Sequence, residues 1–460
     1  MSSRRRDDDE PRAAHADPGM LGEGESNRSP RRAAWQSDHV SAESRRWLEA
    51  DAAVFLHQSL STPCLDVLGA CAGASIETLD GHRLLDFHGN SVHQVGFGHP
   101  HVVEAVKRQL DTLPFCTRRY TNTTAVRLAE KLRDIAPGSL DKVLFAPGGT
   151  AAIGMALKLA RMATGRHKTV SMWDSFHGAS LDAISIGGEA LFRRGVGPLL
   201  SGTEHVPPPD PVHCPFACGD TCNLKCAEYV DYVLDKEGDV GAVIAETVRS
   251  TPYVPPTEYW RIVRESCDRH GALLVLDEIP TCLGRTGRMF ACEHYNVVPD
   301  MLVIGKGLGG GIMPLAALIT RSDLDVAPDA ALGHYTHEKS PLACAAGFAT
   351  LEVIEREALL ERARTLGEHA LARLRDMAAR HDHVADVRGI GLLLGLELSA
   401  GNAEATAAMA EDLMYRALAQ GLSFKISMGS VATLTPALTI EREELDRAID
   451  ILGECLTAIA

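Results

Sequence analysis

The sequence predicts an α/β fold in which a mostly parallel sheet is covered by helices, with a smaller α+β domain beside it. Two observations predict this class. From about residue 143 onward, short strand-like runs alternate with longer segments whose apolar residues recur at helical spacing. The strand-like runs are almost continuously apolar, which is typical of parallel strands that helices cover on both faces.

The large domain should contain six strands and the helices between them. The predicted strands are VLFA (143–146), KTVSMW (168–173), GAVIAE (241–246), ALLVLDE (272–278), MLVIG (301–305) and LAALIT (315–320). The first strand leads into TAAIGMALKLARMA (150–163), whose apolar residues have helical spacing. A long helix over 340–357 is expected to lead out of this domain.

The rest of the chain predicts a second, smaller unit and a tail. Strands within 384–398, a helix over 403–420, two short strand-like runs and a last helix over 441–458 indicate an α+β arrangement. Residues 1–44 mix Arg, Asp, Pro, Gly and Ser without periodicity, as disordered segments do. The expected parts are therefore a disordered tail (1–44), the N-terminal part of the small domain (45–105), the large domain (106–340) and the C-terminal small domain (341–460).

The composition excludes several classes of partner. The chain has 460 residues and a formal net charge of −15, which argues against binding to nucleic acid or to anionic membranes, since both need a basic surface. We find no run of about 18 apolar residues that would span a membrane. The N-terminus has mixed charge and no apolar segment, unlike a secretory signal. We expect a cytoplasmic protein.

Chemistry-bearing residues follow four of the predicted strands. In an open α/β sheet, ligands bind at the carboxyl ends of the strands. PGGT (147–150) opens a helix there, and its backbone amides suit a phosphate, although a tightly packed helix cap would use the same residues. The other three features are Phe176 beside His177, the adjacent carboxylates Asp277 and Glu278, and Lys306.

Lys306 lies in the glycine-rich turn GKGLGGG, which raises the question of a nucleotide site. Gly305, Gly307 and Gly310 match G-x-G-x-x-G, but that fingerprint requires a following helix, and here Pro314 leads into a strand. In a P-loop the lysine follows the glycines, whereas here it precedes them. We reject both nucleotide sites.

Lys306 and Asp277 predict a cofactor instead. A bare ammonium on a short apolar strand is costly, whereas a Schiff base with an aldehyde cofactor is not. A carboxylate at the end of a buried strand needs a cation or hydrogen-bond donors, which a helix N-cap or a turn would ordinarily supply. Pyridoxal phosphate would satisfy both residues, with Asp277 holding its protonated pyridine nitrogen. The expected cofactor-binding residues are Gly149, Thr150, Phe176, His177, Asp277, Ile279 and Lys306.

These stretches also carry a family resemblance. LFAPGGTAAIGMALKLAR, SFHGAS, IAE, LDEIPTCLGRTG, PDMLVIGKGLGGGIMP and SPLACAAG occur in an order and spacing that resemble the class III aminotransferases, pyridoxal-phosphate enzymes of fold type I, over roughly residues 45–458. The resemblance implies a homodimer with active sites at the subunit interface. It also implies that Thr336 reaches the cofactor phosphate of the neighbouring subunit, and that Glu246 is an acid near the substrate.

The sequence departs from the family pattern at four places. Thr433 occupies the place of an arginine that grips the carboxylate of α-amino acids or 2-oxoglutarate, and a threonine cannot replace a bidentate guanidinium. Pro280 stands where many relatives have Gln, and Ala151 where they have Glu. The turn 338–341 reads Glu-Lys-Ser-Pro instead of Gly-Gly-Asn-Pro.

These departures favour elimination over amino transfer. HGNSVHQVG, TEHVPPPDP and HYTHEKSP most resemble the branch of ammonia-lyases that act on 1-hydroxy-2-aminoethylphosphonate. Lys306 would remove a proton there, and no second amino acceptor would be needed. Lys339, Arg249 and Lys425 are candidate phosphonate ligands, or else ordinary surface and salt-bridge residues. The alternatives are an ω-aminotransferase that transfers an amino group to an oxo-acid through a different carboxylate anchor, and a non-catalytic cofactor-binding regulator.

Four of the twelve cysteines form a cluster in CPFACGDTCNLKC. Four cysteines within a short segment of a cytoplasmic protein suggest a tetrahedral thiolate site more than disulfides. The spacing of four is not that of a zinc ribbon, so structural zinc, unliganded thiols and a disulfide or iron–sulfur site all stay open. The candidate metal ligands are Cys214, Cys218, Cys222 and Cys226.

Overall fold

The structure, a computed structural model, describes residues 29–218 and 222–459. The helices are α1 (Pro30–His39), α2 (Ala42–Val54), α3 (Pro100–Thr112), α4 (Thr123–Ile135), α5 (Gly149–Thr164), α6 (Leu181–Ile186), α7 (Ala190–Arg193), α8 (Lys225–Glu237), α9 (Tyr259–His270), α10 (Pro341–Arg356), α11 (Leu359–Ala378), α12 (Ala403–Ala419) and α13 (Arg442–Ile459). The strands are β1 (Leu68–Ala72), β2 (Ser75–Thr78), β3 (Arg83–Asp86), β4 (Leu140–Ala146), β5 (Lys168–Met172), β6 (Thr203–Val206), β7 (Val240–Glu246), β8 (Leu273–Asp277), β9 (Met301–Ile304), β10 (Ala316–Arg321), β11 (Val384–Ile390), β12 (Leu393–Leu398), β13 (Leu422–Ser423), β14 (Lys425–Ser427) and β15 (Val431–Leu434).

The central sheet has seven strands in the order β4-β10-β9-β8-β7-β5-β6. The strands from β9 to β6 pair in parallel, while β10 runs antiparallel to both of its neighbours, β4 and β9. The mostly parallel sheet expected from the sequence is therefore confirmed, with one reversed strand. The TEHV segment that forms β6 was not predicted as a strand, because its residues do not form an apolar run.

Both faces of this sheet are buried, as the continuous apolar runs predict. On one face Ile244 and Val275 belong to the core that includes α5, and on the other Val243 and Leu274 pack with α8 and α9. Because β7 and β8 are parallel and in register, Glu246 and Asp277 lie opposite each other at their carboxyl ends. The sheet thus brings two of the predicted catalytic residues to one edge.

Two further sheets build the smaller part of the molecule. One has the order β1-β2-β3-β13, and the other β11-β12-β15-β14. Leu422 of β13 pairs in parallel with Leu85 of β3, so the segment before the large domain joins the segment after it. Residues from both ends of the chain can therefore reach the edge of the central sheet.

The expectation of a disordered tail over residues 1–44 is wrong for residues 29–44. Ser29 caps α1 by accepting a hydrogen bond from the Arg32 amide, and Pro30 occupies the first helical turn, where its missing N–H has no cost. The Trp35 ring lies 6.2 Å from the Tyr415 ring of α12. Tertiary packing that sequence periodicity does not reveal therefore orders this helix. Residues 1–28 lie outside the described residues.

Within the described part of the chain, we find no helix that combines the length and the apolar character needed to cross a membrane.

Candidate active site

A cavity of about 620 Å³ lies at the carboxyl ends of the central strands. Its floor contains Lys306 and Asp277, and Glu246 lies at its side. Residues of α1, of α12 and of the segment from β13 to β14 complete the walls. The cavity is also lined by Arg32, His88, Asn90, Ser91, Gly149, Thr150, Phe176, His177, Glu189, Arg249, Ile279, Pro280, Tyr415 and Lys425.

Asp277 is fixed at the floor by two hydrogen bonds. One carboxylate oxygen accepts from the Ile279 amide at 3.0 Å, and the other lies 2.7 Å from Nδ1 of His177. Both side chains are almost completely buried. His177 therefore orients Asp277, and the carboxylate keeps lone pairs with which it can meet a cation in the cavity.

Glu278, the neighbouring carboxylate, points away from the cavity. Its oxygens accept hydrogen bonds from the Thr247 hydroxyl at 2.8 Å and from the amides of Ala291 and Cys292 at 2.6 and 2.8 Å. Burial raises the pKa of Glu278 to about 7. Side chains alternate along a strand, so the two adjacent carboxylates serve different purposes: Asp277 faces the site, and Glu278 secures the following loop.

Lys306 has an unusual backbone and an unusual environment. Its φ is +46°, a conformation that a lysine adopts at a cost and that occurs often at functional sites. Burial lowers the pKa of Lys306 below the ordinary lysine value, although Asp277 and Glu246 oppose that shift. A lysine in this environment can act as a nucleophile and as a base.

The start of α5 offers backbone amides to the cavity. Its N-cap Gly148 makes no side-chain capping bond, so the first amides of this helix are not used by a cap. A Cβ on Gly149 would lie 2.6 Å from Cδ1 of Ile279, and one on Gly178 only 2.2 Å from Oγ1 of Thr150. Glycines thus let three segments meet where a phosphate group would bind.

Two apolar side chains border the space above the floor. Ile279 is 8% exposed and lies beside Gly149 and Gly305. Phe176 lines the cavity, and its ring packs at 4.4 Å from the ring of Phe192. A flat aromatic ligand would therefore find apolar contacts on the floor, between the lysine and the start of α5.

Arg249 lies in the wall between two carboxylates. Its Nη1 is 3.3 Å from Glu246, and its Nη2 is 3.3 Å from Glu189. All three side chains are buried. Burial raises the pKa of Glu189 above its usual value, although Arg249 opposes that shift. The two carboxylates therefore largely compensate the positive charge of Arg249 before any ligand binds.

Thr433, which the family resemblance puts in the place of an arginine, is buried in β15. Its hydroxyl donates to Oγ of Ser427 at 3.0 Å. Lys425 pairs directly with Thr433 across the antiparallel strands β14 and β15, and it lines the cavity. Burial lowers the pKa of Lys425 to about 7.

The sequence analysis missed several residues of the wall. His88, Asn90 and Ser91 come from HGNS and face the cavity. Burial, with the nearby Lys306, lowers the pKa of His88 to about 4. Asn90 and Ser91 have φ of +45° and +57°. The one sequence signal for these wall residues was the polar run HGNS, which follows a strand. Arg32 gave no signal, because α1 was expected to be disordered.

Other predicted residues lie outside the cavity. Thr336 and Lys339 are exposed and are absent from its described lining. The four cysteines are also separate from it. No group of three or more His, Cys, Asp or Glu side chains in residues 29–218 and 222–459 is arranged to hold a metal ion, and zinc at the four cysteines stays a prediction. Cys214 and Cys218 approach to 3.4 Å between sulfurs, but the Cys218 thiol donates to Asn223 and Cys222 is exposed.

The chain resembles known proteins over most of its length. The family model described as "Aminotransferase class-III" matches residues 61–456. The (R)-1-hydroxy-2-aminoethylphosphonate ammonia-lyase of Vibrio splendidus (strain 12B01) is 47% identical over 455 residues, covering 95% of each chain. The leucine/methionine racemase of Thermococcus litoralis is 35% identical, covering 84% of this chain and 89% of the relative.

Solved structures agree with this family assignment. An amine transaminase from an uncultivated Pseudomonas species, solved in a PLP-bound form, has a TM-score of 0.82 at 29% identity and covers 88% of this chain and 99% of its own. A Bacillus anthracis aminotransferase has a TM-score of 0.83 at 28% identity, covering 90% of this chain and 98% of its own.

Proposed function

The chain belongs to the class III aminotransferase family, and from that premise we propose that it is a pyridoxal-phosphate-dependent ammonia-lyase. Its substrate is a hydroxylated aminoalkylphosphonate such as 1-hydroxy-2-aminoethylphosphonate. The 47% identical relative, which covers 95% of the chain and bears that name, supports the substrate class. The alternative is an ω-aminotransferase, which the names of the solved neighbours favour.

The observation that carries the proposal is the environment of Thr433. Amino transfer to an oxo-acid needs a cation that grips a carboxylate, and a guanidinium does so with two parallel hydrogen bonds. Thr433 is 1% exposed and its hydroxyl is engaged with Ser427. An elimination uses no second substrate with a carboxylate, so the loss of the arginine has no consequence for it.

The residues of the floor would hold the cofactor. The start of α5, with Gly149 and Thr150, would bind the phosphate through backbone amides. Asp277, oriented by His177, would pair with the protonated ring nitrogen. Pyridoxal phosphate would supply an electron sink for the C–H bond that breaks at the amine-bearing carbon once the substrate amine has replaced Lys306 on its aldehyde carbon, and that replacement would free the Lys306 amine to act as a base.

The chain's own residues then move the protons. Lys306 would take the proton from the carbon that bears the amine, and the hydroxyl group would leave the adjacent carbon. That proton and the hydroxide together form water. Hydrolysis of the resulting unsaturated amine consumes one water and releases ammonia and an aldehyde, so the net change is the loss of ammonia from the substrate. Glu246, at the side of the cavity, is an acid near the substrate.

The enzyme would act as a homodimer that shares its active sites. Thr336 is exposed and outside this chain's own cavity lining, as expected for a residue that serves the neighbouring subunit. Large apolar side chains are also exposed at Phe55 (61%), Leu56 (91%) and Tyr120 (69%). Phe55 and Leu56 are adjacent in the chain, and contiguous exposed apolar groups are typical of protein–protein contact surfaces. Sedimentation or light scattering would test this assembly.

Ammonia release without an acceptor tests the reaction. The purified enzyme should release ammonia over many turnovers from 1-hydroxy-2-aminoethylphosphonate with no oxo-acid present. The Thr433→Arg variant should not improve this rate, because it restores an anchor that elimination does not use. One stoichiometric half-reaction that stops until an oxo-acid is added would refute the lyase and leave the aminotransferase.

A further inference from the structure

Three cations besides Lys306 line the cavity, and they are not equivalent. Arg249 is held at 3.3 Å by each of two buried carboxylates, Glu246 and Glu189. A dianionic phosphonate that approached Arg249 would meet both carboxylates at close range, and like charges repel strongly in a buried site. Arg249 is therefore poorly suited to recognise the substrate's anion.

Lys425 occupies a more suitable position. It pairs directly with Thr433 in the antiparallel register of β14 and β15. Directly opposed residues of an antiparallel pair project to the same face, with Cβ atoms about 5 Å apart. The Lys425 ammonium therefore enters the cavity beside the place where the family's arginine would stand. This chain thus offers an ammonium on the strand next to the position where the family resemblance would place a guanidinium.

That change of group alters the anion that is preferred. A guanidinium is planar and matches a planar carboxylate with two parallel bonds, whereas an ammonium is a compact point charge with three donors. Tetrahedral phosphonate oxygens can use such donors from several directions. Burial lowers the pKa of Lys425 to about 7, so a bound dianion would stabilise its ammonium form.

We propose that Lys425 is the residue that recognises the phosphonate group and selects it over a carboxylate. This inference rests on the proposed function for the identity of the substrate. Arg32 of α1 adds a second positive charge to the wall; its Nη2 donates to the Pro63 carbonyl at 2.8 Å. Lys425 and Arg32 together face the anion, while Arg249 stays bound to its carboxylates.

Turnover kinetics test the role of Lys425. Lys425→Met should raise KM for 1-hydroxy-2-aminoethylphosphonate about 10- to 100-fold, the effect of losing one hydrogen bond to a charged group, with a smaller change in kcat. Lys425→Arg should recover part of that loss for the phosphonate. Lys236→Met, which removes an exposed lysine of α8 paired with Asp235, is the matched control and should change neither parameter. An unchanged KM in Lys425→Met would overturn the inference.

A binding measurement separates this inference from the proposed function. Calorimetric titration of the cofactor-loaded enzyme with methylphosphonate should show binding that weakens by the same factor in Lys425→Met, while acetate binds weakly to both proteins. If the wild type binds methylphosphonate through Lys425 but releases no ammonia, the lyase is wrong and the anion site stands. If the wild type releases ammonia but both proteins bind methylphosphonate equally, the anion site is wrong and the lyase stands.

Folding of the variant is checked independently. Lys425→Met should keep the absorbance of the lysine-bound cofactor and the melting temperature of the wild type. If it does not, Lys425→Gln, which keeps a polar head but no charge, replaces it in both measurements. Equal methylphosphonate affinity in that variant and the wild type would equally overturn the proposal.

Discussion

Replacing Asp277 by asparagine tests the chemistry at the floor of the cavity. Asparagine has nearly the same shape, and its carbonyl oxygen can still accept from the Ile279 amide, which now bonds Asp277 at 3.0 Å. What the variant loses is the negative charge, in a side chain that is only 1% exposed. The fold and the attachment of the cofactor at Lys306 should therefore persist, whereas the protonated ring nitrogen loses its counter-ion.

The expected loss of activity follows from the burial of that charge. Removing one partner of a buried ion pair costs about 3–5 kcal/mol. Since about 1.4 kcal/mol corresponds to a factor of ten in rate, turnover should fall by about 10² to 10⁴-fold. The assay is steady-state ammonia release from 1-hydroxy-2-aminoethylphosphonate, with the absorbance of the lysine-bound cofactor recorded on the same sample.

The adjacent carboxylate provides the matched control. Glu278→Gln changes a side chain of equal burial that faces away from the cavity and holds the amides of Ala291 and Cys292. It should lower the melting temperature and leave kcat within a few fold. If Asp277→Asn keeps more than a tenth of wild-type turnover, or if both variants lose activity equally, the assignment of Asp277 to the cofactor nitrogen is refuted.

Three further changes test other parts of the structure. Lys306→Ala should abolish the absorbance of the lysine-bound cofactor; an adduct that borohydride still fixes to the chain would exclude Lys306. Arg249→Met should destabilise the protein by about 3–5 kcal/mol in chemical denaturation, because two buried carboxylates lose their cation; an unchanged midpoint would contradict the ion pairs. Hydrogen bonds to Asp210 and Glu397 raise the pKa of His213 to about 10. The folded state therefore favours the charged His213 ring. The contribution of His213 to the free energy of unfolding is complete below about pH 6.5 and is lost as pH rises through 10. His213→Ala should cost about 1 kcal/mol at pH 7, and nothing above pH 10, in melts at both pH values.

The central sheet could be predicted because most of its strands are visible as short apolar runs in the sequence itself. Runs such as ALLVLDE are apolar throughout, and a parallel strand covered on both faces needs no other signal. The residues that follow those strands were predicted for the same reason, since parallel strands end at one edge of a sheet. Asp277, Glu246 and Lys306 meet in the structure because their strands are neighbours.

The walls of the cavity could not be predicted in this way. Lys425 matters because it lies opposite Thr433, and the register between strands of only three and four residues is not visible in the sequence. Arg32 reaches the cavity through packing of α1 on α12, where Arg31 pairs with Asp412 at 2.8 Å. For the four cysteines, the sequence left zinc, unliganded thiols and a disulfide or iron–sulfur site open, and the described residues contain no side-chain group arranged to hold a metal ion.

The helix α1 contributes to the wall of the cavity but to none of the reacting groups on its floor. The family model begins at residue 61, so α1 lies outside the segment that this model matches. A protein trimmed to that segment would keep Lys306, Asp277 and the amides of the floor, yet it would lose Arg32 from the lining of the cavity. Exchange of this short leading segment between relatives would therefore change the charge that meets the substrate's anion without altering a single reacting group.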